Sequence, residues 1–123
     1  MQPESGTRAP LVVWGASGHA LVVADALKLA AVFEVLGFLD DTSPERWGGL
    51  YAGARILGGR EQLTALRATG VAHLIVAIGS IPVRRLLAQE AVAQGFSLAT
   101  AIHPRAIVAD DVLIGPGSFI AAG

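Results

Sequence analysis

The chain has 123 residues, of which 53% are hydrophobic and 15% are charged, so it can build a sizeable apolar core. A net charge of -1 provides no basic field for nucleic acid or anionic lipid, and the absence of cysteine excludes disulfides and thiolate metal sites. No apolar run approaches the ~18 residues of a membrane span, and the first nine residues are polar. We therefore expect a cytoplasmic protein in which residues 1–9 form a disordered arm.

Strand and helix patterns alternate along most of the chain. Short continuous apolar runs predict buried strands, and longer Ala- and Leu-rich stretches predict helices. The predicted strands are LVVWG (11–15), EVLGFLD (34–40), ARILG (54–58), AHLIVAIG (72–79) and FSLATAI (96–102). The predicted helices are HALVVADALKLA (19–30), REQLTALRAT (60–69), closed by Gly70, and a stretch that begins after the N-cap Ser80 and runs to Gly95. This alternation predicts a small Rossmann-like α/β domain over residues 10–101, a parallel sheet with helices on both faces.

After residue 101 the apolar pattern changes to a period of six. Branched aliphatic residues stand at Ile102, Val108, Ile114 and Ile120, in the frames IHPRAI, VADDVL, IGPGSF and IAAG. Hexapeptide spacing is typical of a β-helix that stacks its aliphatic side chains inward. The pattern predicts that residues 102–123 begin such a β-helix.

The first candidate site is the loop between the first predicted strand and the first helix. Gly15 permits a tight turn, Gly18 lets a ligand approach the backbone, and the helix N-terminus offers N–H groups and positive charge to a phosphate. A neutral His19 can form a hydrogen bond near a sugar. The candidate ligand-binding residues are Gly15, Ala16, Ser17, Gly18 and His19. The pattern GxxGHA differs from the dinucleotide fingerprint GxGxxG, so a tight loop without a ligand is the alternative.

Asp40 and Asp41 close the second predicted strand, at the same edge of the sheet. Asp40 lies 25 residues after Gly15, near the position of the ribose-binding acid in dinucleotide-binding proteins. The alternative interpretation is that the two acids precede a short helical turn, with Ser43 as its cap and Pro44 as its first residue. The two interpretations are compatible because adjacent carboxylates need not share a role.

A second glycine loop, with Gly79 and Ser80, opens the last predicted helix, and Arg84 lies in its first turn. Arginine at this position opposes the helix macrodipole unless an anion is bound there, and its guanidinium suits phosphate. A solvated arginine is the alternative. No arrangement of residues indicates a metal cluster or a Ser-His-Asp triad.

Several segments together resemble one family. They are VVWGASGHALVVADAL, VLGFLDD, ILGG, IVAIGS with the arginine that follows, and IHPRAIV with VLIGPGSFIAAG. They resemble the bacterial sugar acetyltransferases of the NeuD/PglD-like family, which join a Rossmann-like N-terminal domain to a left-handed β-helix. Members of that family act on sialic acid or on nucleotide-linked amino sugars. The resemblance runs from residue 11 to residue 123.

The resemblance implies that a sugar or nucleotide sugar binds at Gly15–His19, Asp40–Asp41 and Gly79–Arg84. It implies acetyl-CoA as co-substrate, bound by the β-helix between the subunits of a homotrimer, and no metal. The family's general base is a histidine of a later coil, which we expect beyond Gly123. His103, in the first hexad, is not its counterpart. These 123 residues alone are therefore expected not to transfer an acetyl group.

Two other classes of function stay open. One is a stand-alone module that binds a nucleotide or nucleotide sugar without catalysis. The other is an NAD-type oxidoreductase domain, which is supported only by the strand, glycine loop, helix and acid pattern. The hexapeptide pattern weighs against the oxidoreductase, which would instead continue with further strand–helix units.

Overall fold

A computed structural model describes residues 8–30, 32–99, 101–102 and 119–120. The strands are β1 (Ala9–Trp14), β2 (Phe33–Leu39), β3 (Leu50–Tyr51), β4 (Ala54–Gly58), β5 (His73–Val76), β6 (Ser97–Leu98), β7 (Ala101–Ile102) and β8 (Phe119–Ile120). The helices are α1 (Gly18–Ala30), α2 (Gln62–Ala68) and α3 (Ile81–Ala93), with a 3₁₀ turn at Pro44–Arg46. The predicted α/β fold class is confirmed.

The first six strands form one sheet in the order β3-β4-β2-β1-β5-β6. All neighbouring pairs are parallel except β3 and β4, which form an antiparallel hairpin at one edge. Strand β1 lies in the middle, with β2 on one side and β5 on the other. The chain therefore reverses its direction of winding between β1 and β5. In open α/β sheets, ligands bind outside the carboxyl ends of the strands at such a switch point.

Helices cover both faces of this sheet, as predicted. Side chains of β1 alternate between the faces, with Leu11 and Val13 in one apolar cluster and Val12 and Trp14 in the other. Helix α1 packs on the first cluster, through Ala20, Val23, Ala24 and Leu27. Helices α2 and α3 pack on the second, through Leu63, Leu66, Leu87 and Ala91. Because the central strands are buried on both faces, their sequences are continuously apolar.

Two helices end at the glycines that the sequence predicted. At Gly70, with φ +98°, the N–H donates to the Arg67 carbonyl at 3.0 Å, and the Val71 N–H donates to Leu66 at 3.1 Å. Gly95, with φ +96°, and Phe96 donate the equivalent bonds after α3. This paired arrangement is the Schellman motif, which satisfies the last carbonyls of a helix and favours glycine in the left-handed region.

The predicted strand 96–102 is divided between two sheets. Strand β6 pairs with β5, and the Ala99 N–H still donates to the Leu74 carbonyl at 2.9 Å. Strand β7 pairs instead with β8, in parallel, with Ala101 opposite Phe119. The paired residues are 18 positions apart, which equals three hexads. Residues 1–7, 31, 100, 103–118 and 121–123, including His103, Val108 and Ile114, lie outside the described residues, so the domain boundaries stay predictions.

The hairpin turn between β3 and β4 carries local strain at Ala52. Ala52 and Gly53 have φ values of +49° and +86°, as a type I′ turn requires at both central residues. A left-handed backbone is costly for alanine and tolerated best by glycine and asparagine. We expect Ala52→Asn to raise the free energy of unfolding by about 0.5–1 kcal/mol in urea denaturation. Ala52→Thr, β-branched at the same position, should lower it, and equal stabilities of the two variants would contradict the argument.

Candidate functional site

A cleft of about 250 Å³ opens at the carboxyl edge of the sheet, at the switch point between β1 and β5. The loop after β1 contributes residues 15–17, and the loop after β2 contributes residues 40–42. Helix α3 and the end of β5 provide an apolar wall, made of Ile78, Val83 and Leu87. Two arginines that the sequence analysis did not single out, Arg46 and Arg60, also line it.

Gly15 allows three strand ends to come together. Its N–H donates to the Leu39 carbonyl at 2.8 Å, which links the ends of β1 and β2. Its φ is +133°, and a Cβ at this position would lie 2.4 Å from the carbonyl oxygen of Ala77, at the end of β5. Contacts that short do not occur for real side chains, so this position requires glycine. The predicted tight turn is therefore present, and its backbone forms one side of the cleft.

Arg46 and Tyr51 hold the glycine loop in place through its carbonyl groups. Arg46 Nη1 donates to the Ala16 carbonyl at 2.9 Å, and the Tyr51 hydroxyl donates to the Ser17 carbonyl at 2.6 Å. The guanidinium carbon of Arg46 lies 5.0 Å from the Tyr51 ring centroid. With two successive carbonyls anchored, the loop is preorganised before any ligand arrives.

The carboxylate of Asp40 organises the loop that follows β2. It accepts hydrogen bonds from the Thr42 N–H and hydroxyl, both at 2.9 Å, and from the Ser43 N–H at 3.2 Å. Arg46 Nη1 lies 3.2 Å from its second oxygen. Burial raises the pKa of Asp40, but the hydrogen bonds from Thr42 and Ser43 and the charge of Arg46 outweigh it, so the pKa lies below its ordinary value.

The short helical turn considered in the sequence analysis is present at Pro44–Arg46, with Ser43 before it. The Ser43 side chain forms no capping hydrogen bond, and the Asp40 carboxylate accepts the N–H groups of Thr42 and Ser43 at the start of this turn. Asp40 is 6% exposed, and its own carbonyl accepts the Trp47 indole N–H at 2.8 Å. Asp40 thus positions the loop, and its carboxylate is surrounded by donors of the protein itself.

Asp41 is exposed and bonds two other residues that line the cleft. Its two oxygens accept hydrogen bonds from the Trp14 indole N–H at 2.9 Å and from the Arg60 backbone N–H at 2.6 Å. Trp14 is buried beneath the cleft, and the Arg60 guanidinium lies 5.8 Å from its ring centroid. The two adjacent acids therefore have different surroundings.

Not all of the predicted site residues line the cleft. Gly15, Ala16, Ser17, Asp40 and Asp41 do. The other five, Gly18, His19, Gly79, Ser80 and Arg84, lie beside it on the first turns of α1 and α3 or just before them.

Ser80 is the N-cap of α3, as predicted, and its hydroxyl accepts from the Val83 N–H at 3.5 Å. Val83 and Leu87 are four residues apart and share the helix face that borders the cleft. Arg84 lies about 100° around the helix from Val83, so this geometry directs it away from the same wall.

The described residues contain neither a metal-binding cluster nor a membrane-spanning helix. In residues 8–30, 32–99, 101–102 and 119–120 no three histidine or acidic side chains are grouped closely enough to hold a metal ion. Across the same ranges, no helix has the length and apolar character that crossing a membrane requires.

Comparison with known proteins identifies one matching family and related solved structures. A family described as the PglD N-terminal domain matches residues 10–91. PerB from Caulobacter crescentus, solved in complex with CoA and GDP-perosamine, matches with a TM-score of 0.85 and 35% identity, over 94% of this chain and 52% of that chain. The acetyltransferase domain of PglB from Neisseria gonorrhoeae FA1090, in complex with acetyl coenzyme A, matches with a TM-score of 0.80 and 34% identity, over 94% and 54%.

UDP-D-quinovosamine 4-dehydrogenase from Vibrio fischeri matches with a TM-score of 0.62 but only 14% identity, over 74% of this chain and 75% of that chain, which shows a shared fold alone. A comparison with curated proteins found no match. The chain spans about half the length of the acetyltransferase structures that it matches. Because the family match covers well over half of the 123 residues, the chain belongs to the PglD N-terminal domain family.

Proposed function

We propose that this chain is the nucleotide-sugar-binding part of an acetyl-CoA-dependent acetyltransferase that acetylates a nucleotide-linked amino sugar. The observation that carries the proposal is the cleft at the switch point, bordered by the Gly15–Ser17 loop, Asp41 and the apolar wall of α3. A perosamine N-acetyltransferase from Caulobacter crescentus, solved with CoA and GDP-perosamine, has the same fold at 35% identity. That relative supports a nucleotide sugar as ligand and an amine as acceptor.

The apolar wall suits the flat face of a nucleobase. Among the apolar residues that line the cleft, Val83 is 43% exposed, and Leu87 and Trp14 are buried. A base placed there would cover apolar surface, and its edge would face the polar groups of the loop after β2. Asp41 supplies carboxylate oxygens and Thr42 a hydroxyl, the groups that bind ribose or base edges.

The glycine loop suits the diphosphate. Helix α1 begins at Gly18, directly after the loop, and its first turn contains no acidic side chain. The first N–H groups of a helix have no partner within it and carry partial positive charge, so an anion is favoured there. In this proposal Gly15–His19 face the phosphates, Asp41 faces the nucleoside, and Gly79, Ser80 and Arg84 form the outer rim. Asp40 acts by positioning the loop that follows β2.

The proposal assigns acetyl-CoA binding to a left-handed hexapeptide β-helix, of which residues 102–123 are the first coil. The parallel pairing of β7 with β8 at an offset of 18 residues supports a coil of three hexads. By family resemblance the cleft for acetyl-CoA lies between the subunits of a homotrimer, where a histidine accepts the proton of the attacking amine. The role of the present residues is to hold that amine in line, since orientation supplies much of the rate.

Nucleotide-sugar binding can be tested with two matched valines of α3. Isothermal titration calorimetry of the 123-residue chain with GDP- and UDP-linked 4-amino sugars should show saturable binding. Val83→Glu places a carboxylate on the apolar wall beside a dianionic ligand, so we expect affinity to fall by about tenfold or more.

Val92 is the control because it lies on the same helix with 54% exposure, outside the cleft. Val92→Glu should bind like the wild type. A thiol-release assay with acetyl-CoA on the same preparation should show no release of CoA. Equal affinities of the Val83 and Val92 variants, with both folded, would locate the ligand elsewhere.

A further inference from the structure

The rim of the cleft carries an ion pair between two elements that are distant in the sequence. Arg60, just before α2, places Nη2 3.4 Å from Oε1 of Glu90, in the third turn of α3. The two side chains are 55% and 34% exposed. Glu90 lies three residues after Leu87, so it continues the helix face that forms the apolar wall.

The two arginines that line the cleft are held very differently. Arg46 bonds the Ala16 carbonyl and the Asp40 carboxylate, and so belongs to the loop scaffold. Within the described part of the chain, the guanidinium of Arg60 contacts the Glu90 carboxylate and the face of the Trp14 ring. The first contact is long for a charge-assisted hydrogen bond, which usually measures about 2.7–2.9 Å. Arg60 is therefore the cleft cation that can exchange its partner.

We propose that Arg60 binds the phosphate of the nucleotide sugar and that Glu90 competes with this phosphate for the guanidinium. The inference rests on the proposed function, because it names the group that recognises the anionic part of that ligand. A phosphate offers a forked acceptor and more negative charge than the single carboxylate oxygen that Glu90 presents. The phosphate therefore displaces Glu90, whereas a neutral nucleoside has no anionic group that could replace the carboxylate. Arg60 thus makes the cleft selective for phosphorylated ligands, and Glu90 weakens their binding by occupying the guanidinium.

The expected effect of Glu90 on phosphate affinity follows from the solvent exposure of the ion pair. Exposed ion pairs are weak, so releasing Arg60 from Glu90 should tighten phosphate binding by about two- to fivefold. Loss of a hydrogen bond to a charged group is more costly, so removal of the Arg60 guanidinium should weaken phosphate binding by about tenfold or more. The two effects are coupled, because Glu90 acts only through Arg60.

The experiment is a double-mutant cycle on the whole 123-residue chain, measured by titration calorimetry with GDP, UDP, guanosine and uridine. Arg60→Gln should weaken binding of the diphosphates, and Glu90→Gln should tighten it. In the Arg60→Gln background, Glu90→Gln should have no effect. Affinities for the two nucleosides should stay within about twofold in all variants.

Two charge-matched controls lie away from the cleft lining. Glu34→Gln, on β2, and Arg85→Gln, on α3, change the net charge by the same amounts and should leave diphosphate affinity unchanged. Equal tightening by Glu90→Gln with and without Arg60, or by Glu34→Gln, would show a general charge effect and overturn the competition. Diphosphate binding that is insensitive to Arg60→Gln would overturn it as well, yet leave the proposed function standing. If the folded wild type binds neither diphosphates nor nucleosides, the proposed function fails and the inference fails with it.

Discussion

Gly15→Ala is expected to lower the free energy of unfolding by roughly 2–5 kcal/mol, the sum of a strained backbone and an overpacked contact. The added Cβ would lie 2.4 Å from the Ala77 carbonyl oxygen, which belongs to the backbone and cannot rotate away. The hydrogen bond from the Gly15 N–H to the Leu39 carbonyl prevents the loop from moving outward without a further loss. Guanidinium denaturation of the variant and the wild type measures the difference.

Gly18→Ala is the matched control from the same loop. A Cβ on Gly18 meets no atom within 4 Å, and its φ is not in the left-handed region. Because Gly18 is also the first residue of α1, alanine there should be neutral or slightly stabilising. Equal stability of Gly15→Ala and Gly18→Ala would contradict the close approach of β1 and β5. Weaker nucleotide-sugar binding by a fully stable Gly18→Ala would instead support contact of the ligand with this backbone.

The periodicity of the sequence was sufficient to predict the layered fold. Strands buried on both faces must be continuously apolar, and the stretches around Val13 and Ile75 have that composition. Gly70 and Gly95 mark helix ends because a left-handed residue is needed there, which is a local requirement. Such features depend on neighbouring residues, so they can be deduced without knowing the tertiary structure.

The division of strand 96–102 had no such local signal. FSLATAI contains no glycine or proline, and its apolar residues continue through the point where the chain leaves one sheet for another. The switch depends on pairing of Ala101 with Phe119, a contact over 18 residues. The two-residue strand β3 was likewise missed, because it is too short to show a period.

The site was predicted in part, for a geometric reason. Loops at the carboxyl ends of parallel strands must converge, which is why Gly15–Ser17 and Asp40–Asp41 could be found. Arg46 and Arg60 could not, since their roles depend on partners 30 residues away in both cases: Ala16 for one and Glu90 for the other. The face of α3 that borders the cleft could have been predicted, because apolar residues recur every four positions from Val83.

The second large effect is expected at Asp40, where stability should depend on pH. Asp40→Asn keeps the shape of the side chain but removes the charge that Thr42, Ser43 and Arg46 stabilise. It also turns one acceptor oxygen into an NH₂ group, which must face a donor of Arg46 or of the backbone. We expect the free energy of unfolding at pH 7 to fall by about 1.5–3 kcal/mol, as for hydrogen bonds to a charged group.

The direction of the pH dependence follows from the lowered pKa of Asp40 in the folded state. A carboxyl group whose pKa is lower in the folded than in the unfolded chain stabilises the fold above its unfolded pKa. That contribution disappears as the pH falls through the folded pKa. The difference between wild type and Asp40→Asn should therefore be constant near neutrality and shrink below about pH 4, where the free carboxyl group begins to protonate.

Urea denaturation at several pH values between neutrality and the acid limit of the fold measures this difference. Glu34→Gln is the control, because its side chain is exposed on β2 and away from the loop. It should change the free energy of unfolding at neutral pH by no more than about 0.5 kcal/mol, as for most surface substitutions. Should the wild-type and Asp40→Asn curves stay parallel into acid, the donors around Asp40 would not be stabilising its charge, and the carboxylate would not be what holds Thr42 and Arg46 at the edge of the cleft.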